Sequence, residues 1–116
     1  MKIAVVTGAS SGMGLEFAKA IDAEETLDEI WLIARRGDRL EALAKELRAP
    51  ARILTLDLGR PESFEEYKKL LEAEKPLIST LCNAAGFGRF ALFTETELDV
   101  NLAMIDLNDK ALVAMT

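Results

Sequence analysis

Residues 7–14 read TGASSGMG, with glycines at Gly8, Gly12 and Gly14 between an apolar run and a helical pattern. Glycines at this spacing serve one kind of chemistry, the close approach of a backbone to an anion. Gly8 suits a tight turn out of a strand, Gly12 lets the chain come near a pyrophosphate, and Gly14 lets the following helix pack closely on the sheet. The helix N-terminus adds unpaired N–H groups and a partial positive charge. Ser10, Ser11 and Met13 complete the expected phosphate-binding loop. The spacing is G-x-x-x-G-x-G rather than the commoner G-x-G-x-x-G. A strand-to-helix turn with glycines for packing alone would look the same; the strand before and the helix after favour phosphate binding.

A dinucleotide on such a loop places its adenosine ribose about 20 residues further on, at the end of the next strand. Counting from Gly14 leads to Ala34, followed by Arg35 and Arg36. A carboxylate at this position would suit the ribose hydroxyls of NAD. Alanine and two arginines instead leave room for a 2′-phosphate and offer it charge-assisted partners. Two arginines in a loop are by themselves ordinary solvated charges. Their place at the expected ribose position makes NADP(H) the expected cofactor.

Acid–base chemistry has few candidates, because the chain has no histidine, the usual base near neutral pH. The same absence, with one cysteine, excludes the usual His and multi-Cys metal sites. Cys82 alone cannot form an intrachain disulfide, so a reducing compartment is expected. It reads as a small packed residue with nothing nearby to activate it. A net charge of −6 argues against nucleic acid and anionic membrane surfaces as partners. No apolar stretch has the length of a membrane span, and no signal-peptide pattern opens the chain. The expectation is a soluble cytoplasmic protein.

The elements that must position these residues alternate along 116 residues, half of them hydrophobic, as one domain over 1–116. A β-branched run at 2–7 predicts a strand. Leu15, Ala18 and Ile21 then recur at helical spacing, and 29–35 predicts a second buried strand. Leu40, Leu43, Ala44 and Leu47 form one face of a helix over 38–48 that Pro50 stops. A third strand spans 52–58. Pro61 suits the first turn of a third helix with Phe64, Tyr67 and Leu70 or Leu71 turned inward, ended by Pro76. Residues 77–86 predict a fourth strand running into a second glycine-bearing loop. Thr94 and Glu97 have capping-box spacing and open a last helix over 97–115. Continuous apolar strands between amphipathic helices predict an α/β fold, a Rossmann-like parallel sheet with helices on both faces. The expected strand order is 3-2-1-4, with a crevice at the carboxyl ends of the first and fourth strands.

Taken together, these motifs resemble the short-chain dehydrogenase/reductase family, classical type, along essentially the whole chain. TGASSGMG matches the family's cofactor loop, T-G-x-x-x-G-x-G. Asp57 and Leu58 match the acidic position that contacts the adenine ring in the family. Asn83 to Gly86 look like its N-N-A-G segment, with Ala84 replacing the second asparagine. The resemblance implies cofactor contacts for Asp57, Leu58, Asn83, Ala84 and Gly86. It places Asn108 at the asparagine that holds a water in the proton relay. Each has a plainer use as well: Asp57 in a turn into the next helix, Asn83 and Gly86 as turn residues, Asn108 as a solvated polar group.

Family members are longer, and carry a serine and then Tyr-x-x-x-Lys beyond the matched portion. Here the one tyrosine, Tyr67, is followed four residues on by Leu71 and reads as packing. The resemblance therefore implies the N-terminal, cofactor-binding portion of an NADP(H)-dependent oxidoreductase, inactive alone. Its full-length relatives transfer hydride between NADP(H) and a carbonyl or alcohol. The alternatives are a non-catalytic NADP(H)-binding or oligomerising module and a fragment that only folds. An apolar fourth strand at the sheet edge predicts self-association.

Overall fold

The computed structural model describes residues 1–10, 12–85 and Met115. Its elements run β1 (Lys2–Thr7), α1 (Gly12–Glu24), β2 (Glu29–Ala34), α2 (Gly37–Ala44), β3 (Ala51–Thr55), α3 (Pro61–Glu74) and β4 (Leu77–Asn83). The four strands form one sheet in the expected order β3-β2-β1-β4, and all three pairings are parallel.

The two central strands are covered on both faces. After their first residue, every position of β1 and β2 is buried, which is why they read as unbroken apolar runs. Alternate side chains supply two cores. Ala4, Val6, Ile30 and Leu32 pack under Ala18 of α1 and Leu40 and Leu43 of α2. Ile3, Val5, Trp31 and Ile33 pack on the other face with Tyr67 of α3 and with Leu56, Leu58 and Met115.

Trp31 anchors the second core. It is fully buried, its indole N–H donates to Glu29 Oε1 at 3.1 Å, and the edge of Tyr67 meets it at 6.4 Å and 82°. The Arg52 guanidinium lies 5.1 Å above the ring and pairs with Glu29 at 3.4 Å and with Glu74. One cation thus ties β2, β3 and the end of α3 around one aromatic ring.

Several boundaries differ from the sequence expectation. The helix expected over 38–48 ends at Ala44. The buried carboxylate of Asp22, at the far end of α1, accepts the Arg48 and Ala49 amides at 2.7 and 2.9 Å and draws that segment out of the helix. Leu47 still packs on the core from outside the helix. The third strand stops at Thr55, because Leu56 and Leu58 turn into the α3-side core while Asp57 faces outward between them. β2 stops one residue early at Ala34, and β4 ends at Asn83. Pro61 does open α3, and Phe64, Leu70 and Leu71 pack against the core beside the buried Tyr67.

α3 ends on Lys75 in the left-handed conformation, φ 45° and ψ 53°, directly before Pro76. Its N–H caps the Leu71 carbonyl at 2.8 Å. A Cβ is disfavoured in this conformation, so Lys75→Gly should raise stability by about 1 kcal/mol, read as a higher urea midpoint with an unchanged slope. Tyr67 offers a second test. Its buried hydroxyl has no hydrogen-bond partner among the described residues, and burial raises its pKa. Tyr67→Phe removes an unpaired polar group from the core, so thermal unfolding should show no loss of stability.

Candidate functional site

β1 delivers its last residue, Thr7, to the carboxyl edge of the sheet, and the chain turns at once. Gly8 has φ +66°, and its N–H donates to the Ile33 carbonyl at 2.8 Å. A Cβ on Gly8 would stand 2.7 Å from the Ala84 carbonyl group and 2.8 Å from the Ala85 nitrogen. A Cβ on Gly14 would stand 2.1 Å from the Gly8 oxygen. The loop therefore folds back on its own start and against the end of β4, and only hydrogen fits at either contact. Gly12 differs: its φ is +59°, and a Cβ there would meet nothing within 4 Å. Its face is open.

Thr7 fastens this arrangement. Its side chain is buried, and its Oγ1 accepts the Ala84 and Ala85 amides at 3.0 and 3.1 Å while lying 3.4 Å from the Cys82 carbonyl. In the sequence Thr7 stands only as the first residue of the TGASSGMG motif. The available signal was a single hydroxyl at the end of an otherwise apolar strand, directly before the turning glycine.

A cleft of about 400 Å³ opens above these contacts. It is lined by Gly8, Ser10, Gly12 and Gly14 of the loop, by Ala34 and Arg35 after β2, by Asp57 and Leu58 after β3, and by Ala84 and Ala85 after β4. α1 begins in the floor, and its first turn carries no acidic residue, so the positive end of the helix is not neutralised by its own side chains. Met13 sits at the mouth, 71% exposed. Arg35 borders the cleft; Arg36 does not, and is the exposed residue preceding α2. Neither arginine has a side-chain hydrogen bond or ion pair among the described residues.

Asp57 has the turn role foreseen as its plainer use. Its Oδ1 accepts the Gly59 amide at 2.9 Å, Oδ2 lies 3.7 Å from Arg60 Nε, and its carbonyl accepts Ser63 Oγ at 2.6 Å. It nonetheless lines the cleft. Leu58 is largely buried in the α3-side core and reaches the cleft with the rest of its surface. Asn83 closes β4 opposite Thr7. Ser11, Gly86 and Asn108 lie outside the described residues, as do the expected capping box and all of the last helix but Met115.

The arrangement offers backbone N–H groups, a helix N-terminus and an unpaired guanidinium to an elongated anion, between apolar walls. It offers little acid–base chemistry among the described residues. Burial pushes the Cys82 thiol above its ordinary pKa, and Tyr67 is enclosed in the α3-side core. Among the described residues no group of three or more His, Cys, Asp or Glu could hold a metal ion, and no helix is long and apolar enough to cross a membrane.

Known proteins share this geometry. The chain is 31% identical over 109 residues to an uncharacterized oxidoreductase of Staphylococcus epidermidis, covering 94% of this chain and 46% of that protein. It superposes on an alcohol dehydrogenase from the archaeon Thermococcus sibiricus, solved with 5-hydroxy-NADP, with a TM-score of 0.86 at 34% identity, covering 98% of this chain and 49% of that one. A short-chain dehydrogenase from Sphingobium yanoikuyae, solved with NADPH, gives 0.86 at 30% identity over 98% of this chain and 45% of that one. The chain thus spans about half the length of these relatives. The short chain dehydrogenase family profile matches residues 2–116; with its glycine loop and strand order, the chain belongs to that family.

Proposed function

We propose that this chain is the cofactor-binding region of a short-chain dehydrogenase/reductase-type oxidoreductase and that its cofactor is NADP(H). The observation that carries the reading is the cleft itself: an open Gly12 face at the start of α1, with Arg35, unpaired among the described residues, at the expected ribose position. In this reading the pyrophosphate lies over Gly12 and the N-terminus of α1, near Ser10 and Met13, and the motif adds Ser11 to the proposed loop. The adenine lies between Leu58 and the Arg35 side, with Asp57 at its edge. Asn83 and Ala84 border the path toward the nicotinamide; for Gly86 a cofactor contact and for Asn108 the relay role are proposed from the resemblance alone. The relatives solved with NADPH and 5-hydroxy-NADP support the cofactor assignment.

When bound, the nicotinamide ring supplies a hydride acceptor or donor. These residues bind and orient; none of those described is placed to move the substrate's proton. We infer that the chain alone binds without turnover, and that hydride transfer to or from a carbonyl or alcohol belongs to full-length relatives. The alternative is a non-catalytic NADP(H)-binding module, supported by the same cleft and by the enclosed position of Tyr67. The lone, half-buried Cys82 is consistent with a reducing, cytoplasmic setting.

NADP(H) should bind more tightly than NAD(H) by about tenfold, the worth of one charge-assisted contact to the 2′-phosphate. Because Arg35 borders the cleft and Arg36 does not, Arg35→Ala should remove most of that preference and Arg36→Ala little of it. Isothermal titration of both cofactors against the three proteins decides the matter. Equal wild-type affinity for NADP and NAD overturns the assignment.

Self-association is part of the same proposal. β4 is the sheet's edge among the described residues, and Leu77 on it is 67% exposed. Phe17 on α1 is 46% exposed beside Met13. An apolar edge and an apolar helix face favour pairing between copies. Light scattering should give a mass above that of the monomer; a strict monomer at high concentration contradicts it.

A further inference from the structure

β4 is not in simple register with β1. Leu77 and Ile78 stand opposite Lys2 and Ile3, and Thr80 to Asn83 stand opposite Ala4 to Thr7, so Ser79 is an extra residue. Bulges in parallel pairs are rare. This one has a visible effect on packing. Ile78 and Leu81 both join the α3-side core, although strict alternation would turn them to opposite faces, and Cys82 joins the α1-side core. The bulge also moves every later residue by one position. It therefore decides that Asn83 stands beside Thr7, and that the Ala84 and Ala85 amides meet Thr7 Oγ1 and underlie Gly8.

One side chain holds the extra residue in place. Thr80 Oγ1 donates to Glu25 Oε2 at 2.7 Å, and Ser79 Oγ lies 2.9 Å from Glu25 Oε1. The same Ser79 oxygen is 3.2 Å from the carbonyl of Ile3, where the β1 register breaks. Lys2 Nζ stands 4.0 Å from the carboxylate. Glu25 directly follows α1, and its own N–H donates to the Ile21 carbonyl at 2.9 Å. The helix is thus fastened to β4 at both ends: at its start through Gly8, Gly14 and Thr7, at its finish through Glu25.

We infer that Glu25 is a positioning residue for the cofactor cleft: by taking both hydroxyls of the β4 bulge it sets the register that brings Ala84 and Ala85 under Gly8, and it seats the helix whose first turn forms the cleft floor. The word cofactor rests on the function proposed above; the register does not. The hydrogen bonds from Thr80 and then Ser79, with Lys2 nearby, hold the Glu25 pKa below its ordinary value. The carboxylate form is therefore the one that grips the bulge. Its contribution is complete above the unfolded-state pKa and is lost as pH falls through the lowered folded value.

The test compares the wild-type chain with Glu25→Ala, Glu25→Gln and Thr80→Val. Amide hydrogen exchange is followed at Ala84 and Ala85 without cofactor, against Leu32 and Ile33 in the centre of the sheet as the global reference. NADP(H) affinity is measured by titration. Glu25→Ala and Thr80→Val should accelerate exchange at Ala84 and Ala85 more than at the reference and weaken NADP(H) binding about fivefold or more. Glu25→Gln, which keeps an acceptor oxygen, should recover part of both. Equal acceleration at all four amides, or unchanged protection at Ala84 and Ala85, overturns the inference. If Glu25→Ala does not fold, the nearly isosteric Thr80→Val decides by the same exchange measurement. A wild type that fails to bind NADP(H) overturns the proposed function instead, and the exchange pattern still decides the register.

Discussion

The buried hydroxyl of Thr7 joins two strands that the sequence separates widely. It accepts the Ala84 and Ala85 amides just where β4 ends and the sheet can no longer pair them. A fully buried N–H left without a partner costs about 1–3 kcal/mol; these two amides are half-buried, and one oxygen satisfies both. It also brings the β4 backbone so close to Gly8 that no side chain fits between them. Gly14 is then forced against Gly8 in turn, and α1 starts at Gly12, where a Cβ would meet nothing within 4 Å. The cleft floor follows from that fastening.

The sheet explains why the fastening holds. β1 and β2 are buried on both faces and cannot shift without breaking two cores at once. A parallel sheet sends every strand's carboxyl end to the same edge, so Thr7, Ala34, Leu56 and Ala84 arrive together without further instruction. The opposite side of the molecule carries the ties that resist sliding. Arg52 and Trp31 hold β3 to β2 and α3, and Asp22 holds the approach to β3 against the end of α1. The hydrogen bonds and ion pairs of these ties are made by residues that do not line the cleft, yet they fix the strands that deliver it.

What could be read from the sequence was what local geometry constrains tightly. Gly8 turns the chain at a positive φ and Gly14 packs too tightly for a Cβ, as their spacing in the sequence suggests, because such φ and contacts leave glycine no substitute. The strand order expected of a Rossmann-like alternation is the one observed. What escaped was decided by distant partners. Nothing between residues 38 and 48 signals that Asp22 takes two amides and ends α2 early. The run LISTLCN has two possible alternations, and only the packing of Ile78 with Leu81 and the grip of Glu25 select the bulged one. Arg35 and Arg36 are equivalent in sequence; the backbone sends one to the cleft and leaves the other outside it.

The charge of the cleft is a local matter that the whole-chain balance conceals. A chain of net charge −6 should repel an anion at long range, and Asp57 stands in the cleft wall itself. But the Asp57 carboxylate already accepts the Gly59 amide and lies 3.7 Å from Arg60, so its field toward the cleft is partly cancelled. Arg35, which lines the same cleft, has no carboxylate partner among the described residues, and α1 presents a first turn without acidic side chains. Among the described residues, the short-range field is therefore set by Arg35 and a helix N-terminus. Screening at physiological salt, with a Debye length of about 8 Å, reduces the repulsion from the remote surface carboxylates while leaving these near contacts intact. The acidic surface thus affects how fast an anion arrives more than how well it is held.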